Sequence, residues 1–172
     1  KESQSRVRSM ALLHEKLYQS KKLNGVNFSE YVKDLARNLF TLYEATGLQV
    51  NLTVNSTDIV LGMETAIPCG LIVNELVSNS LKHAFGPDKA GEVSIEIAPS
   101  VCPPVAREHI DGGKWYQLII SDNGKGFPAD EDFRTTQSLG LKIVCNLTDQ
   151  LGGIIELDRS NGTKFMVFFQ EA

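Results

Sequence analysis

The chain has 172 residues, 42% of them hydrophobic, and a formal charge of -4, enough for one globular unit with a real core plus an appendage. Its 17 Lys and Arg residues are scattered and outnumbered by 21 Asp and Glu, so there is no basic stripe for nucleic acid, and no apolar run nears the roughly 18 residues of a membrane span. Cys69, Cys102 and Cys145 lack Cys-x-x-Cys spacing, which argues against a disulfide framework or zinc site and for a reducing, cytoplasmic setting.

Residues 5 to 20 predict a helix with the apolar stripe Val7, Met10, Ala11, Leu17 and Tyr18, and His14 in its middle. Lys21 to Val26 is a polar, glycine-bearing joint. Asn27, with Glu30 three residues on, is a capping box for a helix from about Phe28 to Ala45, whose core stripe would be Val32, Leu35, Leu39 and Leu42. Gly47 is placed to end it. Leu48, Val50, Leu52 and Val54 then alternate with polar residues, the mark of a half-buried strand.

A long helix follows from Met63 or Glu64, with Pro68 tolerated because it comes early. At about 100° per residue, Glu75, Asn79, Lys82 and His83 share one polar wedge, opposite Val73, Val77, Leu81 and Ala84. That wedge offers a carboxylate, an amide oxygen, an ammonium and an imidazole in a row. Taken alone it is also what a solvated helix face presents.

Val93, Ile95 and Ile97 give another alternating strand, and Pro99 to Gly113 a surface loop that holds Cys102 and His109. Trp115 to Ser121 reads as a central strand that runs into Asp122-Asn123-Gly124-Lys125-Gly126, a glycine-hinged turn with Asp122 at its mouth. The polar, aperiodic Phe127 to Gln137 reads as a short mobile flap. Leu139, Ile143, Leu147 and Leu151 space a helix stopped by Gly152-Gly153, and strands at Ile154 to Leu157 and Lys164 to Phe169 close the chain as a hairpin. Runs of strands with helices segregated from them give an α+β class, helices on one face of a mostly antiparallel sheet.

Gly124-x-Gly126-x-x-Ala129 formally matches a dinucleotide fingerprint, yet Pro128 and ADEDFRTT open no apolar-striped helix to receive a pyrophosphate. A phosphate loop and a Gly-x-Ser-x-Gly elbow are both missing.

Together, NELVSNSLKHAF, DNGKGF, SLGLKIV and GTKFMVFF resemble, in order, the N box and glycine boxes of the histidine-kinase catalytic domain, one of the GHKL ATPases with gyrase B, MutL and the heat-shock chaperones. The resemblance covers Phe28 to Gln170. RVRSMALLHEKLYQS resembles the second helix of the dimerisation hairpin of short-lid, HWE-related kinases, which makes His14 a hairpin-core histidine rather than the phosphoacceptor. The division implied is 1–26, hairpin helix plus joint, and 27–172, an ATP-binding domain of the Bergerat type, an α/β sandwich.

The resemblance further implies ATP and Mg²⁺ as cofactors. By it, Asp122 receives the adenine amino group, Gly124 and Gly126 let the backbone pass the base, and Thr163 completes the adenine contacts through water. Asn79 ligates Mg²⁺, Lys82 faces the phosphates, and His83 touches ribose or phosphate. Leu139 and Gly140 close the lid's end over the phosphates, and Glu75 is the base. The acceptor histidine is expected outside the fragment, so the fragment should bind Mg-ATP without labelling itself. The phosphoryl group would pass on to a response-regulator receiver domain, in a parent that is a homodimer through the hairpin. No membrane contact is expected of the fragment; attachment of the parent stays open. The alternatives are a GHKL protein-serine kinase of the anti-sigma type and a non-catalytic nucleotide-binding module.

Overall fold

The computed structural model describes residues 7, 11, 25–44, 49–86, 90–101, 103 and 113–171. Met10, His14, Leu17, Tyr18, Gly47, Leu48, Cys102 and His109, with most of the 99–113 loop, lie outside them.

The elements are β1 (Val26–Asn27), α1 (Phe28–Glu44), β2 (Val50–Ser56), β3 (Val60–Leu61), α2 (Met63–His83), β4 (Gly91–Ser100), β5 (Trp115–Asp122), α3 (Leu139–Gln150), β6 (Ile154–Asp158) and β7 (Thr163–Gln170). Five strands form one sheet in the order β2-β4-β5-β7-β6, and β1 pairs with β3 in a separate two-stranded ribbon. β2 runs parallel to β4, and every other pairing is antiparallel.

Strand alternation decides which side of the sheet is covered. Val93, Ile95 and Ile97 of β4, Leu118 and Ile120 of β5, and Phe165, Val167 and Phe169 of β7 are all buried. Their register sets them in rungs, Ile95 beside Ile120 and Ile120 beside Phe165. The opposite face holds exposed Glu92, Glu96 and Glu156, with Ser94 and Ser121 hydrogen-bonded across it at 2.7 Å. Against the apolar face α1 packs on β2, α2 on β5 and α3 on β6, with α2 between the other two helices. This is the expected one-faced α+β sandwich.

That middle position explains the burial of α2, where 14 of 21 residues are inside. Gly70 permits the approach of α1, since a Cβ there would lie 2.4 Å from the Tyr31 hydroxyl. Burial pushes both the Tyr31 hydroxyl and the Cys69 thiol beside it above their ordinary pKa.

Topology also fixes where the ends of α2 lie. A parallel pair needs a crossover connection, and α2 is the one between β2 and β4. It therefore runs back along the strands and ends near the start of β4. Because β5 is antiparallel to β4, the end of β5 arrives at the same place, with Val93 paired to Asp122 and Asp122 to Thr163. The start of α2 lies about 30 Å away, at 1.5 Å per residue, where the Gly62 N–H donates to Glu171 at 2.8 Å.

Four expectations need correction. Val26, assigned to the joint, is buried and paired with Leu61. Leu42 is 43% exposed; α1 turns Phe28, Tyr31, Ala36 and Phe40 inward beside Val32, Leu35 and Leu39, a stripe shifted by about one position. On α3 the buried residues are Gly140, Leu141, Val144 and Thr148, whereas Leu139 is 59% exposed. Phe127 to Gln137, expected as a short mobile flap, is anchored at two points: Phe133 is buried edge-on against Phe165, and the Arg134 guanidinium donates to the Ile155 carbonyl at 2.7 Å.

The capping of α1 is as expected, with the Glu30 N–H donating to Asn27 Oδ1 at 3.1 Å. So is the stop of α3. Gly152, at φ 59°, and Gly153 donate to the Asp149 and Thr148 carbonyls, both at 2.9 Å, the pair of bonds that closes a Schellman end.

Candidate functional site

A cavity of about 350 Å³ opens where α2 ends, within the range of small-molecule sites. One wall is the last turns of α2, with Leu76, Asn79, Ser80 and His83; the floor is Asp122 with Thr163; the other wall is the loop after β5, with Lys125, Gly126 and Phe127. Leu141 and Phe165 add apolar sides and Ser138 and Thr136 a polar rim. An aromatic, aliphatic slot with a few convergent polar groups suits a flat heteroaromatic ring.

Asp122 reaches this floor because of strand parity. It shares the covered side of β5 with Leu118 and Ile120 but comes last, so its carboxylate meets the cavity instead of the core. Only 4% of it is exposed, and a carboxylate buried that deeply needs donors. It has three: the Ser80 hydroxyl donates to Oδ2 at 2.7 Å, and the backbone N–H groups of Gly124 and Thr163 donate to Oδ1 at 3.1 and 3.3 Å.

The loop around it is braced from both sides. The Lys125 N–H donates to the Ala84 carbonyl at 2.9 Å, which caps the end of α2. Asn123 exchanges two bonds with the Glu92 backbone. Gly124 passes so near the helix end that a Cβ would lie 2.4 Å from the Ala84 carbonyl oxygen. Gly126, at φ 83°, occupies the left-handed region where a side chain is strained.

Of the residues expected at the site, Asn79, His83, Asp122, Gly126 and Thr163 line this one cavity. Gly124 stands behind its wall. Lys82 is half-buried beside it and not part of the lining. Glu75 is deeper than a wet helix face implies, at 5% exposure, and accepts from Asn74 Nδ2 at 3.0 Å. Gly140 lies against it, since a Cβ there would come within 2.7 Å of Glu75 Oε2. Leu139 points to solvent. The first turn of α3 thus covers the Glu75 carboxylate with a backbone free of side-chain bulk.

Sequence reasoning missed Ser80 and Lys125. Ser80 stands about 100° around the helix from Asn79, outside the polar wedge, and reads as a filler between Asn79 and Leu81. Among the described residues no three His, Cys, Asp or Glu side chains group to hold a metal. A metal here would depend on the Asn79 amide oxygen, on water and on a bound anion, a sparse set of hard oxygen donors that fits Mg²⁺ and no softer ion. No described helix is long and apolar enough to cross a membrane.

Residues 64–172 match the family model described as histidine kinase-, DNA gyrase B- and HSP90-like ATPase, and residues 1–43 match a model described as histidine kinase. The sensor histidine kinase PdtaS of Mycobacterium tuberculosis is 30% identical over 166 residues, which is 95% of this chain and 29% of that protein. The blue-light-activated histidine kinase 2 of Erythrobacter litoralis is 30% identical over 112 residues, 65% of this chain and 29% of the relative. The chain thus spans 29% of the length of these curated relatives. The solved histidine kinase domain of an Erythrobacter litoralis blue-light activated histidine kinase shares the fold, with a TM-score of 0.82 at 23% identity, over 99% of this chain and 75% of that one.

Proposed function

We infer the role of the cavity from a family membership: this chain belongs to the histidine kinase-, DNA gyrase B- and HSP90-like ATPases. The cavity is where ATP lies, and the parent protein transfers the γ-phosphoryl group to a histidine and from there to the aspartate of a response-regulator receiver domain. The residues before Val26 belong to a dimerisation hairpin and its joint, and Val26, paired with Leu61, opens the ATP-binding domain that runs on to 172. The observation that carries the reading is that the buried Asp122 carboxylate and the Asn79 and His83 side chains, 39 and more positions apart in sequence, face one apolar slot.

Each residue then has a task. Asp122 accepts from the 6-amino group of adenine, held rigid by its three donors. Gly124 and Gly126 keep the wall close to the base, and Thr163 holds the carboxylate from the hairpin side. Asn79 orients a metal on the phosphates, with Lys82 and His83 as cationic or hydrogen-bonding contacts to the polyphosphate and ribose. When bound, Mg²⁺ neutralises the phosphate charge that no phosphate loop is present to meet. In the transfer the bond from the γ-phosphorus to the bridging oxygen breaks, a phosphorus–nitrogen bond forms, ADP leaves, and Glu75 takes the imidazole proton. Leu139 and Gly140 must draw aside for the acceptor to reach Glu75.

The test is calorimetric titration of the chain with ATP, with and without Mg²⁺, followed by acid treatment of the phosphoprotein formed by the full-length parent. Binding that Mg²⁺ tightens, and an acid-labile, base-stable phosphoprotein, support the reading. No heat with any adenine nucleotide, or an acid-stable phosphoester, refutes it.

A further inference from the structure

Asp122 has a neighbour whose role goes beyond filling the helix. A carboxylate offers about four acceptor positions, two per oxygen. Oδ1 is fully used by the Gly124 and Thr163 N–H groups, and Oδ2 accepts the Ser80 hydroxyl at 2.7 Å. Among the described residues one position remains, on Oδ2, and Asp122 lines the slot. The Ser80 proton is committed to Asp122, so Ser80 Oγ turns only lone pairs toward a ligand.

We propose that Ser80 is a positioning and specificity-determining residue for the nucleobase: by its hydroxyl it fixes Asp122 Oδ2 as a single aimed acceptor and makes this corner acceptor-only. The corner then takes a purine that carries an amino group at carbon 6 and disfavours one with a carbonyl there. In the pose that sets carbon 6 at this corner, a 6-oxo purine would place its oxygen against Oδ2 and Ser80 Oγ, two acceptors, and could offer its N1–H to the carboxylate only by sliding along the slot. This rests on the adenine-nucleotide reading above and deepens it. Ser80 is only 8% exposed, and its partner is rigid on both remaining sides, so the hydroxyl has little freedom to reorient.

The experiment compares ATP with purine ribonucleoside triphosphate, identical except for hydrogen in place of the 6-amino group, and with inosine triphosphate. Each is titrated against the wild-type chain, Ser80→Ala and Ser80→Thr. One hydrogen bond to a charged group corresponds to an affinity change on the order of tenfold. Ser80→Ala is expected to weaken ATP by about that factor and leave the deamino analogue unchanged, so that the preference for ATP over both analogues shrinks about tenfold. Ser80→Thr, which keeps the hydroxyl, restores it.

Equal weakening of all three nucleotides overturns the proposal and marks a merely structural serine, as does an Ser80→Ala protein that binds like wild type. A wild-type chain that binds no adenine nucleotide overturns the functional reading first and the proposal with it. Should Ser80→Ala fail to fold, as judged by thermal unfolding without nucleotide, the near-isosteric Ser80→Cys takes its place. Its thiol is a weak donor, so the preference should fall part of the way; full retention counts against the proposal.

Discussion

Replacing Gly162 by alanine tests the corner that holds Asp122 more sharply than any change to the aspartate itself. Gly162 sits at φ 79°, where a Cβ costs about 1–2 kcal/mol. That Cβ would also stand 1.9 Å from the Asp122 carbonyl oxygen and 3.0 Å from Asn123 Cα, against roughly 3.3–3.6 Å for an ordinary carbon–oxygen contact. Both neighbours are backbone, so relief requires the β6–β7 turn to part from the Asp122 loop, an overpacking cost of about 1–3 kcal/mol. The sum, roughly 2–5 kcal/mol, corresponds to a fall in melting temperature of about 4–20 °C for a chain of this size. Parting those strands also lengthens the bond from the Thr163 N–H to Asp122, so ATP affinity should drop with it. Gly152→Ala is the control. Its φ is 59° but a Cβ meets nothing within 4 Å, so only the conformational cost of about 1–2 kcal/mol applies and nucleotide binding stays as in wild type. Circular-dichroism melting and calorimetry on the two variants decide the matter. If Gly162→Ala melts with Gly152→Ala and binds ATP as wild type does, the tight-corner reasoning is wrong.

Asp122→Asn should weaken ATP by at least about 100-fold, because an amide now faces the 6-amino group; calorimetry with full retention of affinity would contradict the assignment. Asn79→Ala is expected to lower affinity for Mg-ATP at least several-fold while metal-free ATP binds as before, and equal losses in both titrations would remove Asn79 from the metal. Cys69 gives a pH dependence: burial holds its thiol neutral in the folded chain, whereas the unfolded thiol ionises near about 8.5. The unfolded state therefore binds fewer protons above that pH, so this contribution to stability is intact below about pH 8.5 and declines as pH rises further. Urea unfolding at neutral and alkaline pH should show a shallower alkaline decline in Cys69→Ala than in wild type, and identical declines would rule the thiol out. Arg159 donates to the Glu131 carbonyl at 2.6 Å and lies over the Phe127 ring, so Arg159→Ala should speed cleavage after Glu131 by a glutamate-specific protease; an unchanged rate would mean that Phe133 and Arg134 hold the segment without it.

What the sequence made legible were the elements whose signal is local. The alternation in β4, the capping box at Asn27 and the paired glycines after α3 each state their outcome within a few residues. The strand delivering Asp122 was legible for the same reason. Stripe positions were harder: Leu42 and Leu139 satisfy helical spacing yet face solvent, because periodicity gives the width of an apolar face and the neighbouring elements set its centre. The parallel pairing of β2 with β4 has no local signal at all. Glu75 was read as part of a wet face because the wedge ignored α3, whose first turn covers it. Ser80 escaped for a related reason, since a short hydroxyl acquires meaning only from the carboxylate 42 positions later that accepts its hydrogen bond.

The long crossover helix also divides the sheet into a working end and a quiet one. From the Val93–Asp122 pair to the Ser100–Trp115 pair β4 and β5 run seven further register steps, about 23 Å at 3.3 Å each. The β4–β5 connection leaves at that distant edge, and there Glu171 also ties Gly62 and Tyr116 together. Insertions, fusions or new contacts grafted between 101 and 114 should leave ATP affinity as it is. A load applied at Gly62 has α2 as one continuous rod leading to the end where the cavity lies.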